Sequence, residues 1–312
     1  MTERSIMVSM QHVHKRFGPK HVLFDVNLRF ERGGFVSLVG PSGCGKSTLL
    51  YMILGTLKPT AGVVLVGGAL VQGLSRNRGI VYQHYSLFPH LTVLENVAFG
   101  RMLDATSIPF RVLRPFAWRA LRKRHLDEAR DLLTHVGLGD PQTLQCYPHQ
   151  LSGGMRQRVA IAQAMIMKPS VLLLDEPFGA LDQATRESLQ RMILQLHADN
   201  ERARAEGRQD DIVTVVLVTH EIDEAILLAD KVVGVSQYWN WREQGYDRCP
   251  GATVVYSKPA PIFKPDHEAQ HSAFVEQRQE IIRAAMDETV LQPPEMYRTF
   301  WKGDAPTARG AA

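Results

Sequence analysis

Two short runs constrain this chain more than anything else in it. "SVLLLDEP" (170–177) and "DIVTVVLVTH" (211–220) hold stretches with almost no polar interruption. A strand that alternates polar and apolar can leave one face in water. A strand apolar at successive positions must be covered on both faces. Helix-like patterns stand beside these runs in the chain: "TRESLQRMILQLHADN" (185–200) is amphipathic, and "EIDEAILLAD" (221–230) reads as a helix. Upstream, "GGFVSLVG" is a glycine turn feeding a strand at Phe35–Val39, and a helical run follows from Lys46 to about Leu54. Strands alternating with helices imply an α/β fold, a parallel sheet covered on both sides.

Other segments follow a different pattern. Residues 6–13 and 22–30 alternate, as half-buried strands do. "AGVVLVGG" and "GIVYQ" read as further strands. From about Leu91 to Met167 the pattern is mostly helical, an insertion in the sheet plan. Within it, residues 101–125 hold two prolines and a dense basic cluster: Arg111, Arg114, Arg119, Arg122, Lys123 and Arg124, with no acid among them. The cluster suits anionic lipid head groups or an acidic protein loop, against the plainer reading of a solvated helix face. "DNERARAEGRQDD" (199–211) is charged throughout and is expected to be an exposed loop. The expected division is a main domain over 1–240, with a helical part at about 84–167, then an extension over 241–312. That extension should hold a strand, a helix from about His267 to Met286 and a disordered end.

With 312 residues, 45% hydrophobic and 22% charged, the chain has an ordinary soluble composition. The excess of 36 basic over 32 acidic side chains is too small to imply nucleic acid and is compatible with an anionic membrane surface. Cys44, Cys146 and Cys249 lack metal-ligand spacing, so a reducing cytosol is expected. "MTERSIMVSM" is too polar for a signal peptide. No apolar run approaches the roughly 20 residues that span a bilayer.

The chemistry concentrates in a few stretches. "GPSGCGKST" (40–48) fits G-x-x-x-x-G-K-[ST] between a strand and a helix. Gly40, Gly43 and Gly45 let the backbone turn its N–H groups toward an anion. The whole loop, with Pro41, Ser42, Cys44 and Thr48, is the expected phosphate cradle. Lys46 would reach the β- and γ-phosphates, and Ser47 would ligate Mg²⁺. Asp175 and Glu176 end a buried strand, where ligands gather in such sheets; Asp175 would hold Mg²⁺ and Glu176 would polarise an attacking water. His220 ends another strand and could hydrogen-bond a γ-phosphate. Gln83, after "GIVY", has the same placement. "LSGGMRQRVAIAQAM" (151–165) opens like a second phosphate loop but has no lysine. Ser152 reads as its N-cap, and Met155, Val159, Ala162 and Ile166 recur at helical spacing.

Together these pieces resemble the ATP-binding subunit of ATP-binding-cassette (ABC) transporters, over roughly residues 6–236 and in the family's order. The resemblance implies a phosphate-loop NTPase (RecA-like) core, an antiparallel β subdomain and an inserted α-helical subdomain. It implies ATP and Mg²⁺, with Phe17 stacking on adenine and Gln83 touching Mg²⁺ while leading a loop that senses the permease. His220 becomes a switch histidine, and Asp182 lies at a dimer seam. Ser152, Gly153, Gly154 and Met155 form the signature that covers the nucleotide of a second copy in a head-to-tail dimer. Met155 stands where the family usually has Gln. The implied partners are a transmembrane permease and, through it, an extracytoplasmic solute-binding protein, at the cytoplasmic face of the membrane. The chain looks most like importer subunits for nitrate, sulfonates and taurine, and "VVYSKPAPIFKPD" looks like a subgroup tied to urea- or guanidine-type nitrogen compounds. The competing expectations are a soluble ABC ATPase acting on DNA or ribosomes, a metabolic phosphotransferase, or an exporter subunit.

Overall fold

A computed structural model describes residues 5–84, 86–105, 113–179, 181–237, 251–260 and 268–287. Two sheets organise it. The first is four-stranded and antiparallel, ordered β2-β1-β4-β5. β1 (Ile6–Phe17) and β2 (Lys20–Glu31) form a hairpin, joined by β4 (Ala61–Val66) and the two-residue β5 (Ala69–Leu70). Both hairpin strands run further than the alternating stretches 6–13 and 22–30, because bulges along the register let the pairing continue past the break in alternation.

The second sheet has six strands in the order β10-β9-β3-β8-β7-β6. β3 (Phe35–Val39), β6 (Arg78–Val81), β7 (Val171–Asp175), β8 (Thr214–Val218) and β9 (Lys231–Ser236) run parallel. β3, β7 and β8 are buried at every residue, as doubly covered strands must be. One face carries α1 (Lys46–Leu54), whose Leu49, Leu50, Met52 and Ile53 share a core with Leu38, Leu173 and Val216. The other face carries α6 (Gln183–Ala205), which buries Leu189 and Ile193 against Leu172 and Leu217.

A helical lobe projects between β6 and β7: α2 (Val93–Ala105), α3 (Pro115–His135), the short α4 (Pro141–Gln145) and α5 (Gly153–Met165). It has its own core of Val93, Val97, Ala129, Leu133, Val159 and Ala162. Where it is described, at 101–105 and 113–125, this segment is less of an interruption than its sequence suggests. α2 runs on to Ala105, and α3 starts with Pro115 in its first turn, where the missing N–H costs nothing. Arg111 lies outside the described residues.

Residues 199–211 also depart from expectation. α6 continues through 199–205, and only the last few residues turn. Asn200 is 3% exposed: its side chain accepts from Val213 N–H at 2.9 Å and donates to Val213 O at 2.7 Å and Gly33 O at 3.3 Å. Ala203 is buried beside it, while the charges pair along the helix surface, Arg202 with Asp199 and Arg204 with Glu201. A helix with this much charge reads as a loop only until its one buried stripe is seen.

After β8 come α7 (Ile222–Leu228) and β9, then β10 (Thr253–Pro259) and α8 (Glu268–Ile281), which ends in a π turn at Ile282–Met286. The expected boundary at residue 240 falls between β9 and β10, which are hydrogen-bonded neighbours with Val254 opposite Val235. α8 packs on α7 and β10 through Ile281 and Ala285, and Arg278 pairs with Asp223 at 2.7 Å. The expected disordered end lies outside the described residues.

Candidate nucleotide-binding site

The site stands at the carboxyl ends of the parallel strands. Register puts Leu38 of β3 beside Val218 of β8, Val218 beside Asp175 of β7, and Leu174 beside Val81 of β6. The residues leaving those strands therefore emerge side by side: the loop from Gly40, the pair Thr219–His220, the pair Asp175–Glu176, and Gln83.

The loop is shaped by backbone demands. A Cβ on Gly40 would sit 2.0 Å from the Val235 carbonyl oxygen, so only glycine lets β3 leave the sheet against β9. Gly43 has φ +80 with open space around it, a left-handed turn that frees N–H groups rather than packing. Lys46 is 5% exposed, and its Nζ donates to Gly40 O at 2.7 Å and Pro41 O at 2.9 Å. The ammonium is thus held within the loop it closes. Cys44 is buried, and burial pushes its thiol pKa up.

Ser47 and Tyr51 are one turn apart on α1, so both reach the same carboxylate. Ser47 Oγ donates to Asp175 Oδ1 at 2.9 Å, and Tyr51 OH donates to Oδ2 at 3.1 Å. Burial, with the Asp175 charge second, pushes the Tyr51 phenol up to about 12. A hydroxyl and a carboxylate so close are hard oxygen donors of the kind Mg²⁺ takes in small number alongside phosphate oxygens. The residues present therefore fit that ion.

Glu176 sits next to them in a strained backbone, φ +47 for a non-glycine residue. Its N–H donates to Val218 O at 2.9 Å, which fixes it to β8. Such strain persists where the surroundings impose it, and it clusters at functional sites. Gln83 Nε2 donates to Glu176 Oε2 at 3.3 Å, and His220 Nδ1 lies 3.3 Å from the same oxygen. Beside them is a cavity of about 30 Å³ whose lining includes Glu176, His220, Thr219, Phe178, Arg186 and Glu224. It has polar partners and room for one water.

The signature stretch lies on the helical lobe. Ser152 caps α5, its side chain accepting from Met155 N–H at 3.3 Å. That helix runs from Gly153, and its N-terminal dipole and free N–H groups favour an anion. A Cβ on Gly154 would meet Thr185 Cγ2 at 1.9 Å, so the signature packs tightly against the start of α6. There Asp182 accepts from Thr185 N–H at 3.0 Å and Thr185 Oγ1, bonds that hold its carboxyl below the usual range. Phe17 is exposed at the end of β1 with Lys15 Nζ 4.8 Å from its ring centre. Its hairpin partner β2 borders the phosphate loop through Val22 and Leu23, which neighbour Gly45.

Sequence reading missed Tyr51, although its four-residue spacing from Ser47 was there to be used. It also missed the group behind His220, where Thr219 Oγ1 donates to Glu224 at 3.1 Å and Arg186 Nε lies 3.6 Å from the same carboxylate. Glu224 is 6% exposed, and burial raises its pKa. No short motif announces that pair.

Fold and site together define a phosphate-loop nucleotide-binding protein with a signature helix on a separate lobe. Residues 23–179 match the family model described as ABC transporter. The sulfate/thiosulfate import ATP-binding protein CysA of Pectobacterium atrosepticum is 42% identical over 72% of this chain and 62% of its own length. The bicarbonate transport ATP-binding protein CmpD of Synechocystis sp. is 44% identical, over 69% of this chain and 68% of its own. Among solved structures, a dimeric post-hydrolysis state of the ATP-binding cassette MJ0796 bound to ADP and Pi superposes with TM-score 0.61 and 31% identity. That match covers 82% of this chain and all of the other. The chain belongs to the ABC transporter family. It spans about three fifths of the length of the sulfate/thiosulfate relatives it matches. Among the described residues no helix is long and apolar enough to cross a membrane.

Proposed function

We propose that this chain is the ATP-hydrolysing subunit of a membrane importer for a small solute, acting as a head-to-tail pair of copies docked on a permease at the cytoplasmic face. The observation that carries the reading is the meeting of Gln83 and His220 on one oxygen of Glu176, beside a water-sized polar cavity and one strand from Lys46. CysA and CmpD, both named as transport ATP-binding proteins, support it.

In this reading ATP lies along the loop at Gly40–Ser47, its adenine against Phe17. Lys46 exchanges the Gly40 and Pro41 carbonyls for β- and γ-phosphate oxygens, and the exchange ties the loop to the nucleotide. Ser47 and Asp175, with Gln83, would hold Mg²⁺, which would supply neutralisation of phosphate charge. Glu176 accepts a hydrogen bond from the attacking water and orients it in line. Gln83 and His220 keep that carboxylate in place, and His220 stabilises charge gathering on the γ-phosphate oxygens. Ser152 and the start of α5 from the second copy cover the γ-phosphate, so closure of the pair completes each site. ATP binds the closed pair more tightly than the open one, and that difference drives the permease.

CysA and CmpD are similar to this chain to nearly the same degree and are named for sulfate/thiosulfate and bicarbonate. Cargo is therefore read by other subunits, and the nitrate-, sulfonate- or taurine-type solute, or the urea- or guanidine-type alternative, rests on sequence resemblance. The test is assembly with the permease and binding protein encoded beside this chain. Solute should stimulate ATP hydrolysis. Glu176→Gln should lower it by about 100-fold or more while ATP binding persists and the closed pair accumulates. Wild-type hydrolysis in that variant, or co-purification with ribosomes or DNA instead of a permease, would overturn the proposal.

A further inference from the structure

We propose that the start of α3 is a docking surface for an anionic lipid bilayer. Residues 113–124 carry five basic side chains and no acidic one. Two are engaged: Arg122 pairs with Glu95 at 3.1 Å and Arg124 with Glu128 at 3.3 Å. Arg114, Arg119 and Lys123 are exposed and make no ion pair with any described residue. Beside them stand Leu113, 78% exposed, and Phe116, 83% exposed, the two most exposed large hydrophobic side chains among the described residues.

The two observations favour one occupant between them. A solvated helix face accounts for the cations but leaves a phenylalanine and a leucine in water for no gain. An acidic protein loop neutralises the cations and does nothing for the apolar pair. A bilayer with anionic head groups takes both: head groups meet the guanidinium and ammonium groups, and the ring enters the interfacial layer. Helix geometry permits this at once. Phe116, Arg119 and Lys123 follow at spacings of three and four, along one stripe. Trp118, His125 and Ala129 face the core of the helical lobe and hold that stripe outward. The inference rests on the proposal that this chain works at a membrane, but it concerns the chain alone and needs no permease.

The experiment is sedimentation of the full chain with vesicles of phosphatidylcholine, with and without phosphatidylglycerol. Each cation near an anionic surface is worth about fivefold in partitioning. Binding should require phosphatidylglycerol, weaken with added salt, and fall by about 100-fold or more in Arg114→Glu/Arg119→Glu/Lys123→Glu. Phe116→Ser should lower it several-fold at fixed salt. None of these side chains is among the nucleotide-site residues, so ATP hydrolysis by the variants should equal wild type and certify their folding. Wild-type chain that ignores anionic vesicles overturns the inference, as does a triple variant that binds them undiminished. If wild type ignores vesicles and the triple variant is also recruited less to detergent-solubilised permease, the cations serve an acidic protein loop and the lipid assignment is wrong. Loss of hydrolysis in every assembly, with vesicle binding intact, would instead overturn the transport proposal.

Discussion

Arg186→Met should destabilise the chain in a way that depends on pH. Arg186 Nε and Glu224 Oε1 are 3.6 Å apart, with side chains 28% and 8% exposed. At an effective dielectric near 20 their attraction is about 4–5 kcal/mol before desolvation is counted. The substitution relieves only the desolvation of Arg186, since Glu224 stays buried in the variant, and that takes back roughly half. Glu224 keeps its bonds from Thr219 Oγ1 at 3.1 Å and Gln190 Nε2 at 3.4 Å in the variant. The net loss expected near neutral pH is therefore about 2 kcal/mol. The folded-state pKa of Glu224 is raised by burial, and removing Arg186 raises it further. A folded carboxyl with a raised pKa binds more protons than the unfolded one, so stability falls as pH rises through the window between the two values. The loss in Arg186→Met should thus be largest at neutral pH and shrink on acidification, as Glu224 becomes neutral and needs no partner. Urea denaturation followed by circular dichroism at several pH values measures it. Arg186→Met/Glu224→Gln should recover most of the loss, since a neutral amide accepts from Gln190 Nε2 through its oxygen and donates through its NH2 to the Thr219 hydroxyl, which reverses its role. A loss constant between about pH 5 and pH 8, or single losses that simply add in the double variant, would refute the charge-pair argument.

Other variants test the site and its supports. Phe17→Ala should weaken ATP binding by about 5- to 100-fold, the worth of one base–aromatic stack, in a fluorescent-nucleotide titration. Gly154→Ala places a Cβ 1.9 Å from Thr185 Cγ2 and should cost about 1–3 kcal/mol in thermal unfolding. Thr185→Ser in the same chain removes the opposing methyl and should restore part of it. Asn200→Ala leaves Val213 N–H and O without their partner and should cost about 2–3 kcal/mol in urea.

Much of the core was legible because its constraints are local. β3 at Phe35–Val39 and α1 from Lys46 to Leu54 stand where the apolar run and the glycine loop put them. Ser152 caps α5 as its hydroxyl and following glycines imply. The rest depended on distant partners. Asn200 sits in the sequence where the amphipathic stretch passes into a charged one, and its burial shows only when Gly33, 167 positions away, is brought beside it. α3 begins at a proline in a basic stretch whose packing stripe is Trp118, Leu126, Ala129 and Leu133, too sparse in its first turns to read as amphipathic. β10 shows its place only through pairing with β9. The catalytic candidates were readable because each sits at the end of its own strand. Arg186 and Glu224, drawn from two helix starts, were not.

The pairing of β10 with β9 gives the C-terminal segment a mechanical meaning. Val254 stands opposite Val235, and the carbonyl of Val235 is the atom that leaves Gly40 no space for a side chain. One strand therefore separates the C-terminal segment from the phosphate loop. α8 is bolted to the same strands and to the helix that follows His220. A load applied to α8 is delivered in series, through stiff hydrogen-bonded backbone, to both the glycine loop at Gly40 and His220. A cut at residue 240 would leave β9 as a bare sheet edge and remove that linkage with it.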